Sequence, residues 1–347
     1  MAVRDGTPAG DRLLLVMPRH QLARKASDAG FRLWSVWDPR LLDAMSHHRL
    51  LECSEELLLT DFRDEPGLRR LIVQVAARHD IATVLHCGGG ASLLPVVEEA
   101  WRLGLSPNPP AAVRHMGVPA TRPVTAPVTR LSVQTLTVAG RHQVVGVTLR
   151  LTDGAPTFAT TGHLHPAPLP EADRSAAERL AVDWLATHDY RFGPAHLELV
   201  LDGAEARVVS GEPWAGPDRI PLLVEVARGL DVEAAAFAAL RGHPAGPVPP
   251  AHQYAEIGFF PLPEGALVTY TGMELIAVTP WVRGTRFPYV AGDLVPPPHD
   301  PRAGRAYVVV EGATPQLTAE RVRQAREDLT VEIRPPEAPQ RDGSLPR

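Results

Sequence analysis

Before Gly104 the chain alternates three times between a short apolar run and a helical stretch, a rhythm that few folds accommodate. Arg12–Val16 is too brief and too apolar for a surface helix and reads as a buried strand. Gln21–Ala29 has helical spacing and is closed by Gly30, the residue type that helix ends favour. Phe31–Val36 is a second strand, stopped at Trp37-Asp38-Pro39. Such a β-α-β unit in one sheet implies parallel strands joined by a right-handed crossover. Gly67–Arg78 then reads as an amphipathic helix, Ile81–His86 as a strand, and Gly88-Gly89-Gly90 as the opening of a helix over Ala91–Leu103. The pattern predicts a small Rossmann-like α/β domain.

Asn108–Pro127 breaks the rhythm: it is proline-rich, lacks sustained apolar periodicity and reads as linker or surface chain. Strand signals dominate afterwards. Leu131–Val138 and Gln143–Leu151 flank Ala139-Gly140 as a hairpin, and His196–Leu201 and Glu205–Val209 flank Asp202-Gly203 as another. Helices are expected over Arg174–Thr187, Ile220–Ala227, Val232–Leu240 and Thr318–Leu329, with a proline-rich joint at 243–252. The expected division is a Rossmann-like domain over 1–116, a linker over 117–130, a lobe over 131–245, a mixed α+β piece over 246–335 and a tail over 336–347.

The inventory of side chains narrows the chemistry. Of 35 lysine and arginine side chains only Lys25 is lysine, which excludes any mechanism needing a lysine downstream. A net charge of −5 argues against a nucleic-acid or membrane-surface binder working through a basic field. No uncharged apolar run reaches the roughly 20 residues that span a bilayer, and the polar start carries no secretion signal. Cys53 and Cys87 form neither a metal-ligand spacing nor a disulfide framework. A soluble cytoplasmic protein is the expectation, with neither nucleic acid nor membrane as partner.

Two places carry chemistry-bearing residues. Gly88-Gly89-Gly90 lies where bare amides and a helix start can hold an anion, but it is not a Gly-x-Gly-x-x-Gly pattern, and a tight strand-to-helix turn is the plainer reading. His86 and Cys87 beside it suggest a nucleophile only until one looks for a further partner, which the sequence does not offer; a structural cysteine is the simpler account. The second place is Gly193–Val200. On a strand, His196 and Glu198 share a face, and the returning strand leads to Glu212, so the two carboxylates can converge on a hard cation. A solvent-facing polar stripe explains the same spacing.

The order of these features resembles an ATP-grasp ligase of the carboxylate–amine type, the group that includes amino-acid and dipeptide ligases. The opening β-α-β unit, Gly88–Gly104 and Gly104–Arg114 resemble that family's N-terminal domain. Leu131–Gln134 and Val145–Thr148 resemble the first strands of its large lobe, and Thr161-Gly162-His163 with Pro166–Pro170 a loop near the substrate. His196-Leu197-Glu198, followed by Gly216–Pro221, resembles the metal strand and the turn after it; Gly292–Val295 and Gly312–Leu329 resemble the C-terminal domain. The resemblance implies ATP and Mg²⁺ as cofactors, and a reduced ATP-grasp large lobe over 131–245.

The departures point the other way. The family inserts a small lobe, with a glycine-rich flap and phosphate-clamping lysines, where only Gly117–Arg130 stands in this chain. Ser210, Glu212 and Trp214 occupy the places of a glutamate, an asparagine and an arginine, and Thr160 that of a glutamate before the retained His163. Glu198 is the expected metal ligand kept in place, with Glu212 as a second, weaker candidate. The resemblance so altered implies a ligase homologue unable to catalyse alone, which binds a small carboxylate or amino-acid ligand or serves a partner ligase chain. His163, His196, Arg219 and Trp214 are the candidate substrate contacts: Arg219 offers a fork for a carboxylate, and Trp214 would plug the pocket. The alternatives are an active ligase, forming an amide through an acyl phosphate with the missing lobe supplied by a partner chain, and a scaffold without ligand. A homo-oligomer is compatible with each.

Overall fold

The computed structural model describes residues 10–42, 44–116, 128–154, 158–202, 205–214, 216–297 and 305–336; most of the expected linker and tail lies outside them. The chain divides into two compact units, 1–150 with 165–252, and 151–164 with 253–347.

The first unit begins β1 (Arg12–Val16), α1 (His20–Asp28), β2 (Arg32–Trp37), α2 (Ala44–Leu51), β3 (Glu56–Leu59), α3 (Glu65–Arg78), β4 (Thr83–His86), α4 (Leu93–Arg102) and α5 (Pro110–Arg114). Its strands form a parallel sheet ordered β3-β2-β1-β4, as the alternation predicts. Leu13 to Val16 of the inner strand β1 are fully buried, because helices cover both faces of a parallel sheet. The strand β3 and helix α2 are additions to the expected pattern. So is α5, which folds the start of the proline-rich stretch: Pro110 stands in its first turn, where a missing N–H costs nothing.

An antiparallel layer follows, built from β5 (Thr129–Val138), β6 (Arg141–Thr152), β7 (Thr160–His165), α6 (Glu171–Thr187), β8 (Gly193–Asp202), β9 (Glu205–Pro213), α7 (Ile220–Arg228) and α8 (Val232–Leu240). Within the first unit its strands run β6-β5-β8-β9. One face is apolar and packs under α6 through Val133, Val147, Ala177, Ala181, Leu185 and Leu197. On the opposite face stand Ser132, Gln134, Thr148, His196 and Glu198, while Leu136 and Val145 join a second apolar cluster with Val224 and Phe237.

In the second unit β10 (Tyr254–Phe259), β11 (Gly265–Thr271), α9 (Met273–Ala277), β12 (Val282–Arg286), β13 (Leu294–Val295), β14 (Tyr307–Gly312), α10 (Pro315–Asp328) and β15 (Thr330–Arg334) complete the chain. They give a layer ordered β12-β14-β10-β7 and a three-stranded sheet β13-β11-β15. Helix α10 lies on β10, where Gly258 has no side chain because Val322 fills that space. Among the described residues no helix is long and apolar enough to cross a membrane.

Candidate functional site

Strand register builds the polar face. Gln134 pairs with His196 and Ser132 with Glu198 across β5 and β8; Ser132 also faces Thr148 on β6. On β9, Glu212 stands opposite His196 and Ser210 opposite Glu198. The two carboxylates are therefore diagonal neighbours on one surface, as the period-two spacing of His196 and Glu198 anticipates. They sense one another: burial first, then the charges of Glu198 and Asp218, push the Glu212 carboxyl above the usual range. Glu198 is held by the Ser210 hydroxyl, which donates to its Oε2 at 3.1 Å, and by Arg150, whose Nη1 lies 3.8 Å from its Oε1. Among the described residues no three or more His, Cys, Asp or Glu side chains gather as metal ligands.

Beneath this surface runs a directed chain of hydrogen bonds. An arginine can only donate, so Arg228 Nε, 3.2 Å from His165 Nε2, makes that nitrogen the acceptor. His165 Nδ1 then carries the proton and donates to Thr148 Oγ1 at 3.0 Å. Thr148 donates in turn to Gln134 Oε1 at 2.8 Å. The Gln134 amide passes its two protons to Ser132 Oγ and His196 Nδ1, at 2.8 and 3.3 Å. His196 is thereby set as the tautomer protonated at Nε2. Gln134, Thr148, His165 and His196 are all buried. Burial, then the charge of Arg228, pulls the His165 pKa down to about 3, which keeps its ring neutral. Two glycines make room: a Cβ on Gly146 would lie 2.4 Å from His165 Cε1, and one on Gly216 2.6 Å from His196 Nδ1.

Trp214 is only 6% exposed and packs on Phe237, ring centroids 5.7 Å apart, inside the cluster that also holds Val224, Leu136 and Phe31. It is core, and the cavity it borders, with His86, Asn108, Tyr190 and Phe192, is about 30 Å³, room for a water or two. Arg219 takes a left-handed backbone (φ 62°) at the start of α7. Its charge is felt by Glu225, and Asp218 is the neighbour whose charge acts on Glu212. Among the described residues Arg219 Nε has no hydrogen-bond partner. His163 belongs to the second unit, its ring edge-on to Phe259 at 6.1 Å.

In the parallel sheet, Gly90 (φ 90°) makes the tight turn expected of the glycine triplet. His86 is fixed by the Gly88 carbonyl and the Ser92 hydroxyl, each 2.9 Å away, and burial lowers its pKa to about 4. Burial, followed by the charge of Glu233, drives the Cys87 thiol up, which disfavours the thiolate. The single lysine is engaged elsewhere: Lys25 Nζ lies 2.8 Å from Asp231 and 2.9 Å from Glu233.

Ser132, Gln134, Thr148, Arg150, His165 and Arg228 carry no role in the sequence reading. The available signal was Ser132-x-Gln134 and Thr148 alternating with Leu131, Val133, Val147 and Leu149.

Comparison with known proteins agrees with this architecture. The family model "L-amino acid ligase C-terminal domain 2" matches residues 258–334. An L-amino acid ligase from Bacillus licheniformis superposes with a TM-score of 0.79 at 14% identity, over 94% of this chain and 100% of that one. A phosphoribosylglycinamide synthetase from Anaerococcus prevotii gives 0.75 at 10%, over 93% and 100%. Biotin carboxylase from Campylobacter jejuni, solved in a complex with beta-gamma-ATP, gives 0.68 at 12%, over 92% of each chain. No curated protein sequence matches. The chain shares the fold of these three proteins, and its residues 258–334 are similar to the C-terminal domain of L-amino acid ligases.

Proposed function

We propose that this protein is an ATP-grasp ligase homologue that does not form amide bonds by itself, and that it binds a small carboxylate or amino compound or serves as a subunit of an active ligase. The observation that carries the reading is the engagement of Lys25, the only lysine, by Asp231 and Glu233. Acyl-phosphate chemistry needs cations arranged on the transferring phosphoryl group and its leaving oxygens. ATP and Mg²⁺, which the resemblance implies, do not fit this donor set. No lysine is left for the phosphates, and Gly117–Arg130, which stands in the place of the family's small lobe, is too short a sequence for a sheet-bearing lobe. Arginine and a compact ammonium are not interchangeable at a phosphate. Removing one preorganised electrostatic group commonly costs about 2.7–4 kcal/mol of barrier, and here several are missing together.

What the chain's own residues do on this reading is bind and orient. His196, neutral and protonated at Nε2, offers a donor; Glu212 offers an acceptor; Arg219 has a guanidinium N–H to give. The second reading is an active ligase completed by a partner chain, and it is favoured by the 39% exposure of the Glu198 side chain, which leaves that carboxylate within reach from solvent.

Purified protein with ATP, Mg²⁺ and an amino-acid mixture is expected to release no ADP above background. Turnover that Glu198→Ala abolishes would overturn the proposal. Thermal shifts against ATP, ADP and amino acids separate the ligand-binding version from a scaffold, since a bound ligand raises the melting point by mass action.

A further inference from the structure

The resemblance gives Glu198 to a divalent cation, yet the geometry already gives it a monovalent one. Arg150 and Thr148 point to the same face of β6, two residues apart. Glu198 stands on β8, two strands away, with β5 between them. At that level β5 carries Ser132, the partner of both Thr148 and Glu198, and its side chain is only a hydroxymethyl. The long arginine crosses it and brings Nη1 to 3.8 Å from Glu198 Oε1, while Ser210 donates to Oε2. One carboxylate oxygen thus has a hydrogen-bond donor from this chain, and the other has a guanidinium within ion-pair distance.

We propose that Arg150 is a built-in cation beside Glu198, so that this face of the sheet takes its ligands without a divalent metal. The proposal rests on the reading that the chain does not run acyl-phosphate chemistry, and it names what closes the site to the metal. Mg²⁺ takes oxygen ligands at short distance in a near-ideal octahedron and gives up its waters reluctantly, and Mn²⁺ favours the same oxygen donors. A dication at Glu198 would have to displace the guanidinium, or sit beside it against like-charge repulsion. Glu212, the other carboxylate within reach, does not complete a set of three ligands among the described residues.

The test is a Mn²⁺ titration of the full chain without nucleotide, followed by the electron paramagnetic resonance of free Mn²⁺. Wild type is expected to show no site that Glu198→Gln removes. Arg150→Gln is expected to gain one site, about ten-fold or more tighter than any wild-type binding. Arg150→Gln/Glu198→Gln should lose that gain, and Arg150→Lys, which keeps the charge, should not show it. A wild-type site abolished by Glu198→Gln would overturn the proposal, as would a folded Arg150→Gln protein that gains nothing. Should Arg150→Gln fail to fold, the comparison of wild type with Glu198→Gln decides alone. ADP release, assayed separately, sinks the functional reading above whatever the Mn²⁺ result.

Discussion

Lys25 Nζ lies 2.8 Å from Asp231 Oδ1, so the chain's one lysine ties α1 to the residue that caps α8. Asp231 also accepts from the backbone amides of Glu233 and Ala234, and Glu233 binds both Lys25 and Arg19. Burial draws the lysine pKa down, but the charge of Glu233 and the hydrogen bonds of both carboxylates outweigh it and leave the value raised. Lys25→Met keeps the stem and removes the charge, leaving the nearly buried Glu233 with Arg19 alone. The expected loss is about 2 kcal/mol of unfolding free energy, read from urea denaturation, with Lys25→Arg recovering most of it. An unmoved midpoint would mean the lysine is structurally idle.

Trp214 answers to stability rather than to ligand. Buried against Phe237 and Val224, it should cost about 3–5 kcal/mol when cut to alanine. If it plugged a substrate pocket instead, Trp214→Ala would leave the melting point nearly unchanged and open new ligand binding. Calorimetry with and without an amino-acid mixture tells the two apart.

What the sequence made legible follows burial. Leu13–Val16 reads as a strand because both its faces are covered, and the apolar run is unbroken. The strand β3 escapes notice because Glu56–Leu59 lies at the sheet edge, half-buried, and α2 because Leu50 is its one buried residue. At the site, His196 and Glu198 show themselves through period-two spacing alone. Arg150 and His165 do not, since what brings them to Glu198 and Thr148 is the register between strands, and local spacing says nothing of that. Gly146 and Gly216 are unreadable for a related reason. Each is defined by a ring from a distant segment filling the place of its side chain.

Glu212→Gln should make the protein more stable at neutral pH. Its carboxyl is raised in the folded state by burial and by Glu198 and Asp218. The folded protein therefore holds that proton more firmly than the unfolded chain does. Its favourable contribution is full below the unfolded carboxylate range and is lost as pH rises through the folded value. Melting curves of wild type and Glu212→Gln should nearly coincide near pH 4 and separate in the variant's favour by pH 7. A variant less stable at pH 7 would show that Glu212 is neutralised by a partner.

The relay from Arg228 to His196 makes the sharpest prediction, because each step fixes the next. Nitrogen-resolved imidazole spectra should show His165 protonated at Nδ1 and His196 at Nε2. His165 has its pKa lowered to about 3, against about 6.5 for an exposed histidine. The folded state therefore binds fewer protons here than the unfolded chain. The stabilisation is complete above about pH 6.5 and drains away as pH falls towards the folded value. His86, lowered to about 4, acts in the same window, so only a difference between proteins isolates the relay. His165→Gln leaves Arg228 and Thr148 badly matched and should cost about 1–3 kcal/mol at pH 7.5. It also removes the titrating ring, so its stability should fall less steeply than that of wild type between pH 6.5 and 4. A His165 ring that titrates near 6.5 in the folded protein, or a variant whose pH profile runs parallel to wild type, would break the relay at its second link.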